Sequence, residues 1–239
     1  MSKPNEIEVT MRGQRFTVYW IRHGLTYQNL CREYQGSAFD YDILPESRAL
    51  IEQRRERGAV PDVATVWASP LLRARRTAEL YFPNHAIECV PDIRERGFGV
   101  WDGKTHDELV GDPLYRQFRE TFGDATPSGG ETHRAFMARL RRALERLNRM
   151  MLETPEAFPL AMVFHGGPIL HLTDLLLPPD HACHRFYVLG AGGLRLEMTP
   201  SPLTVEAAEP IFTDDVPVEM TPFYTEFERP PYEQRHGDR

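Results

Sequence analysis

The sequence predicts an α/β protein, a three-layer α/β/α sandwich around a mostly parallel central sheet. Short uncharged runs rich in β-branched and aromatic residues, over 16–21, 63–68 and 160–164, alternate with longer segments of helical periodicity. Apolar runs without polar alternation belong to strands buried on both faces. Each run passes directly into helix-starting residues, which is the order of a βα unit. The 239 residues, 41% hydrophobic and 10% aromatic, are enough for one large core.

The first strand, 16–21, ends on Arg22, His23 and Gly24, and the glycine allows a tight exit into a helix over 26–33. Gln35-Gly36-Ser37 breaks that helix, and Pro45 opens another over 45–57. The second strand, 63–68, meets Ser69-Pro70, with serine as N-cap and proline in the first turn of a helix over 70–82. A weaker strand covers 86–90. Residues 91–127 are irregular, with short helices around Asp107 and Tyr115. Ser128-Gly129-Gly130-Glu131 has capping-box spacing, and Phe136, Leu140, Leu144, Leu147 and Met151 follow at helical intervals. The third strand, 160–164, ends on His165-Gly166-Gly167-Pro168 and leads into a helix over 168–177. Two further strands are expected over 185–189 and 194–198.

Charge divides the chain in two. Residues 199–239 hold nine acids against three arginines, a net charge of -6, so the overall -7 leaves -1 for residues 1–198. The expected organisation is a domain over 1–198 and a proline-rich acidic extension over 199–239. Ile211, Phe212, Phe223, Tyr224, Phe227 and Tyr232 are many large apolar groups for a solvated tail. The extension is therefore expected to pack as an irregular strap on its own domain or on a second subunit, which makes a homodimer one expectation. No broad basic face is available for nucleic acid, and the groups Arg54, Arg55, Arg57 and Arg139, Arg141, Arg142 read as solvated helix faces. Cys31, Cys89 and Cys183 are odd in number, far apart and without metal-ligand spacing. With no leader-like start and no apolar run of membrane-spanning length, the expectation is a soluble cytoplasmic protein that contacts no membrane.

The chemistry gathers at strand ends. In open α/β sheets ligands bind at the carboxyl edge, where the amides opening the following helices favour an anion. Arg22 and His23 follow the first strand, Arg73 lies one turn into the helix after the second, and His165 follows the third. Two arginines and two histidines at helix N-termini suit a doubly charged oxyanion, because guanidinium donors match phosphate, and one histidine can attack phosphorus.

These residues resemble the histidine phosphatase superfamily, which includes the cofactor-dependent phosphoglycerate mutases. Arg22-His23-Gly24-Leu25-Thr26-Tyr27-Gln28-Asn29 is similar to the R-H-G-x-[ST]-x-x-N signature. Gln35-Gly36 resembles the family's phosphate-side loop, and Ser69-Pro70-Leu71-Leu72-Arg73-Ala74 with Thr77-Ala78 its S-P-L-x-R-A-x-x-T-A element. Arg94-Glu95 ahead of Phe98-Gly99-Val100-Trp101-Asp102-Gly103 resembles its acid loop, and Phe164-His165-Gly166-Gly167 its second histidine motif. The resemblance spans roughly 14–198 and implies a phosphoglycerate mutase-like fold. It further implies His23 as nucleophile, with Arg22, Arg73 and His165 holding the phosphoryl oxygens. Asn29, Gly36 and Gly166 would line the phosphate site, and Glu95 would act as general acid and base. Leu25, where glutamate is frequent, and Gly97, where aspartate is common, depart from the pattern and bear on substrate choice.

The expected activity is that of a phosphoric monoester hydrolase acting on a small phosphorylated metabolite without metal or other cofactor. The alternatives are phosphoglycerate mutase chemistry and a non-catalytic phosphate-binding scaffold. Mutases of the family close longer insertions over the site, whereas here forty-five residues separate His23 from Ser69 and twenty-five separate Gly103 from Gly129. His181-Ala182-Cys183-His184 lacks the spacing of a closed zinc shell. Gly103-Lys104-Thr105 lacks the upstream glycine and strand of a P-loop, and no G-x-S-x-G elbow occurs.

Overall fold

The structure, a computed structural model, describes residues 13–213. Among these residues six strands form one sheet: β1 (Phe16–Arg22), β2 (Thr65–Ala68), β3 (Ile87–Cys89), β4 (Leu160–Phe164), β5 (Gly193–Thr199) and β6 (Thr204–Ile211). Their order is β3-β2-β4-β1-β5-β6. β3, β2, β4 and β1 run parallel, while β5 and β6 are antiparallel to their neighbours. Among the described residues the helices are α1 (Tyr27–Leu30), α2 (Pro45–Glu56), α3 (Leu72–Tyr81), α4 (His106–Leu109), α5 (Pro113–Glu120), α6 (His133–Glu153) and α7 (Gly166–Leu176).

The sheet separates two apolar layers because successive strand side chains point to opposite faces. Trp20, Met162 and Phe164 pack with Phe136, Leu140, Leu147 and Ile169 from α6 and α7. Ile21, Val66, Ala161 and Val163 pack with Ile51 and Ala78 from α2 and α3 on the other side. Each fully buried aliphatic or aromatic side chain contributes about 1.5–3 kcal/mol, so α6 is held mainly by its apolar stripe.

Register aligns the chemistry-bearing ends. Ile21 pairs with Val163 and Ala68 also pairs with Val163, so β1, β4 and β2 finish level. The ladder runs one residue further, with His23 N–H donating to Phe164 O and Ser69 N–H donating to Val163 O, both at 2.9 Å.

Several expectations change. Ser69 does not cap α3; it extends the β2 ladder, and the helix starts at Leu72 after N-cap Leu71. Thr132, whose side chain accepts from Ala135 N–H, is the N-cap of α6, so the capping box at 128–131 does not form. Residues 185–189 are not a strand: Arg185 adopts a φ of 52°, which interrupts extended backbone, and Val188 O is taken by the Arg22 guanidinium. Arg54 and Arg139 are buried rather than solvated. Arg54 donates to Tyr81 Oη at 2.7 Å, Ala191 O at 2.6 Å and Phe212 O at 3.1 Å, tying α2 to the sheet edge. The expected strap begins as regular structure: β6 pairs with β5, and the Phe212 ring stacks on Tyr81 with centroids 5.3 Å apart. Residues 214–239, and with them Phe223, Tyr224, Phe227 and Tyr232, lie outside the described residues.

Candidate active site

The site forms where β1, β2 and β4 end. His23 is only 4% exposed, with its ring centroid 5.1 Å from that of His165. Its Nδ1 lies 2.7 Å from Gly24 O, and a carbonyl can only accept, so Nδ1 carries the proton and Nε2 keeps a free lone pair. Burial first, then the positive charges of Arg73 and Arg22, holds the imidazole well below its ordinary pKa. The backbone is fixed as firmly: Gly24 N–H donates to Thr77 Oγ1 at 2.9 Å, and Thr77 Oγ1 donates to Arg73 O at 2.7 Å. One threonine thereby locks the end of β1 to the first turns of α3.

Arg73 is fully buried, and its terminal nitrogens donate to the carbonyls of Phe39, Gln35 and Gly36 at 3.2–3.3 Å. Those bonds fix the loop after α1 beneath the guanidinium. Gly36 can only be glycine here, since a Cβ would stand 2.3 Å from Asp102 Oδ1 and 2.8 Å from Arg96 O. Arg22 donates to Val188 O at 2.9 Å and lies over the Tyr187 ring, 4.8 Å from its centroid.

His165 is fully buried, 2.7 Å from Ser69 Oγ through Nε2. Ser69 Oγ accepts Leu71 N–H at 3.3 Å and keeps its own proton, which can be donated to Nε2. His165 would then be protonated at Nδ1, a buried atom with no partner among the described residues. Burial, with Arg73 and His23, also lowers the His165 pKa well below normal. Arg22 Nε, Arg73 Nε and Gln35 Nε2 are likewise buried without partners among the described residues. Unpaired buried donors are costly, and four of them on the residues around His23 suit an oxyanion. Gln35 and Ser69 are the functional candidates that the sequence left aside. The signals were the glutamine of the Gln35-Gly36 loop and a serine directly at a strand end.

Glu95 is 8% exposed; Oε1 accepts Arg96 N–H at 2.8 Å and Oε2 accepts Gly167 N–H at 3.2 Å. Burial raises its pKa despite these bonds and the charge of Arg73. Gly167 must be glycine for this approach, because a Cβ there would lie 2.4 Å from Glu95 Oε1. Gly166 opens α7 close against the Arg22 guanidinium. Arg22, His23, Arg73, Glu95, His165, Gly36 and Gly166 are thus brought into one neighbourhood. Asn29 is held otherwise: its Oδ1 accepts from Thr26 N–H at 3.0 Å and Thr26 Oγ1 at 3.2 Å, completing the cap of α1. Leu25 packs on Leu30, Leu44 and Leu189, and Gly97 O accepts Glu131 N–H. His181 and His184 serve the backbone, accepting from Cys183 N–H and donating to Leu177 O.

This geometry agrees with relationship. The model of the histidine phosphatase superfamily (branch 1) matches residues 18–207, and the chain belongs to that family. A relative called fructose-2,6-bisphosphatase TIGAR B, from Danio rerio, is 33% identical over 147 residues, 58% of this chain and 55% of that protein. The chain thus spans about half the length of that relative. A probable phosphoglycerate mutase GpmB from Serratia proteamaculans is 30% identical over 195 residues, covering 77% of this chain and 86% of the relative. The crystal structure of a phosphoglycerate mutase from Thermus thermophilus superposes with a TM-score of 0.61 at 28% identity, over 80% of this chain and 97% of that one. The chain therefore has the phosphoglycerate mutase-like fold and belongs among proteins that handle phosphoryl groups. Among the described residues no helix is long and apolar enough to cross a membrane.

Proposed function

We propose that this protein is a phosphatase that hydrolyses a small phosphorylated metabolite through a phosphohistidine on His23. The observation that carries the reading is the geometry at His23: its Nδ1 lies 2.7 Å from Gly24 O, which leaves the Nε2 lone pair free in a site that also holds the Arg22 and Arg73 guanidiniums and the buried carboxyl group of Glu95. Arg22 and Arg73 match the two charges of a phosphate dianion, with His165 Nδ1, Gln35 Nε2 and the Gly166 amide as further donors. Gly36 and Asn29 shape the loop and cap beside them.

In the first half-reaction the Nε2 lone pair attacks phosphorus. The bond to the leaving oxygen breaks, and that oxygen takes the proton of Glu95. Water then attacks the phosphohistidine and gives its proton to the Glu95 carboxylate, and the electron pair of the P–N bond returns to Nε2. The arginines stabilise charge developing on the equatorial oxygens throughout. Hydrolysis is favoured over mutase chemistry by the short segments after His23 and after Gly103, which leave water a route to the intermediate. A cytoplasmic location belongs to the same reading, supported by the unpaired Cys31, Cys89 and Cys183.

A screen for phosphate release over a panel of phosphorylated metabolites, with and without chelator, tests the proposal. It expects net release from at least one ester, unchanged by chelator. Exchange of phosphate between glycerate positions without net release would replace it with the mutase reading.

A further inference from the structure

The acid arm of the site is held by a side-chain clamp. Arg139, on α6 and 2% exposed, uses all five of its N–H donors. Nε donates to Glu131 Oε1 at 2.8 Å and Nη2 to Glu131 Oε2 at 2.7 Å, a bidentate pair. Nη1 donates to Asp92 O at 2.9 Å and Arg94 O at 2.6 Å, and Nη2 donates to Glu95 O at 3.1 Å. Glu131 grips the same loop from its other end: its N–H donates to Gly97 O at 2.8 Å, and its carbonyl accepts Arg96 Nε at 2.8 Å. Residues 92–97 contain no helix or strand beyond one 3₁₀ turn at Pro91–Ile93, so no backbone ladder sets where Glu95 points. Glu131, just before α6, and Arg139, in its second turn, grip that loop instead.

We infer that the Arg139–Glu131 pair is a positioning device for the general acid, setting the carboxyl of Glu95 against the leaving oxygen without touching substrate. The inference rests on the phosphatase reading above. A guanidinium fork suits the task because three diverging carbonyls and a carboxylate must be met from one rigid plane, which the three donors of a lysine ammonium cannot reproduce. Burial raises the Glu95 pKa, and the positive charge of Arg139 is the smallest of the effects that oppose it, so the role of the pair is position.

The test compares Arg139→Lys, Glu131→Gln, the double variant and Glu95→Gln on an alkyl phosphate and on p-nitrophenyl phosphate, whose leaving group needs no proton. The clamp predicts kcat losses on the order of 100-fold for the alkyl ester and under about threefold for the aryl ester, with KM little changed. The double variant should be no worse than the poorer single one, because each residue acts through the other. Glu95→Gln should give the same alkyl-selective pattern. Equal losses on both esters in the clamp variants, with Glu95→Gln still selective, would overturn the inference and leave the phosphatase reading standing. Equal losses in Glu95→Gln itself would remove its acid role and overturn both. Glu131→Gln keeps the side-chain volume and one acceptor oxygen, so it carries the test if Arg139→Lys does not fold. Failure of both to fold would make the pair a folding element and overturn the inference.

Discussion

The phosphate floor and the acid arm meet in one site but are built in opposite ways. On the floor, Arg22, His23 and His165 stand at the ends of β1 and β4, where ladder bonds such as His23 N–H to Phe164 O set their positions. On the arm, Glu95 sits on an irregular loop held by Arg96, Arg139 and Glu131. A group positioned by a sheet inherits the rigidity of the core, whereas one positioned by side chains can be displaced without unfolding the protein. The difference suits the chemistry assigned to each: phosphate must be met by fixed charges, while the acid need only present one proton to the leaving oxygen.

Breaking the floor should have the largest effect. His23→Ala should lower turnover of alkyl and aryl esters alike by more than about 10⁴-fold, with stability changed by at most about 2 kcal/mol, checked by steady-state assays and thermal melting. Breaking the arm should do less and do it selectively. Glu95→Gln should slow alkyl esters by on the order of 10²–10⁴-fold and aryl esters far less. A pH profile sharpens this contrast: Glu95 must be protonated to donate, so alkyl-ester activity falls as pH rises through its raised pKa, and in Glu95→Gln that fall should vanish.

A smaller effect separates the parts of the floor. Ser69→Ala removes the hydroxyl beside His165 Nε2 and frees the wrong tautomer to form. Activity should fall about tenfold on all esters equally, against the ester-selective loss expected from the arm. Rate assays on both ester types check this.

The smallest effect is on stability. His23 and His165 have depressed pKa values in the folded protein, and burial lowers His171, between Gly167 O and Phe122 O, to about 4. Each is neutral when folded and takes a proton when unfolded below about pH 6.5. Stability is therefore intact above that pH and lost progressively below it, by up to about 1.4 kcal/mol per pH unit for each histidine. Glu95 and Asp102 have the opposite sign, since burial raises their pKa values and favours the folded state at low pH, while burial also lowers the pKa of His133, which adds to the three histidines. Melting temperature should fall between pH 6.5 and 5, and less steeply in His171→Leu.

Sheet-borne positions were legible in the sequence because a strand announces itself by an unbroken apolar run, and its end by the first polar residue. The starts and ends of β1, β2 and β4 follow that rule within two residues, and with them His23 and His165. What escaped was set by tertiary hydrogen bonding. Arg139 sits three residues after Phe136 and four before Ala143, inside the buried stripe of α6, and Arg54 sits beside Leu50 and Ile51 on the buried face of α2. Reading arginine as solvated overrode that periodicity, which was the available signal. Glu131, taken for a capping residue by its spacing from Ser128, is instead the carboxylate partner of Arg139. Spacing alone does not separate those roles, because both place a glutamate just before a helix.

The measurement closest to the central claim is rapid quenching of the enzyme during turnover of a phosphate-labelled ester, followed by mapping of the label. The account predicts an acid-labile, base-stable phosphoryl group on His23 Nε2, formed in a burst before steady-state release and absent from His23→Ala. An acid-stable label, a label on another residue, or turnover with no labelled enzyme would contradict it.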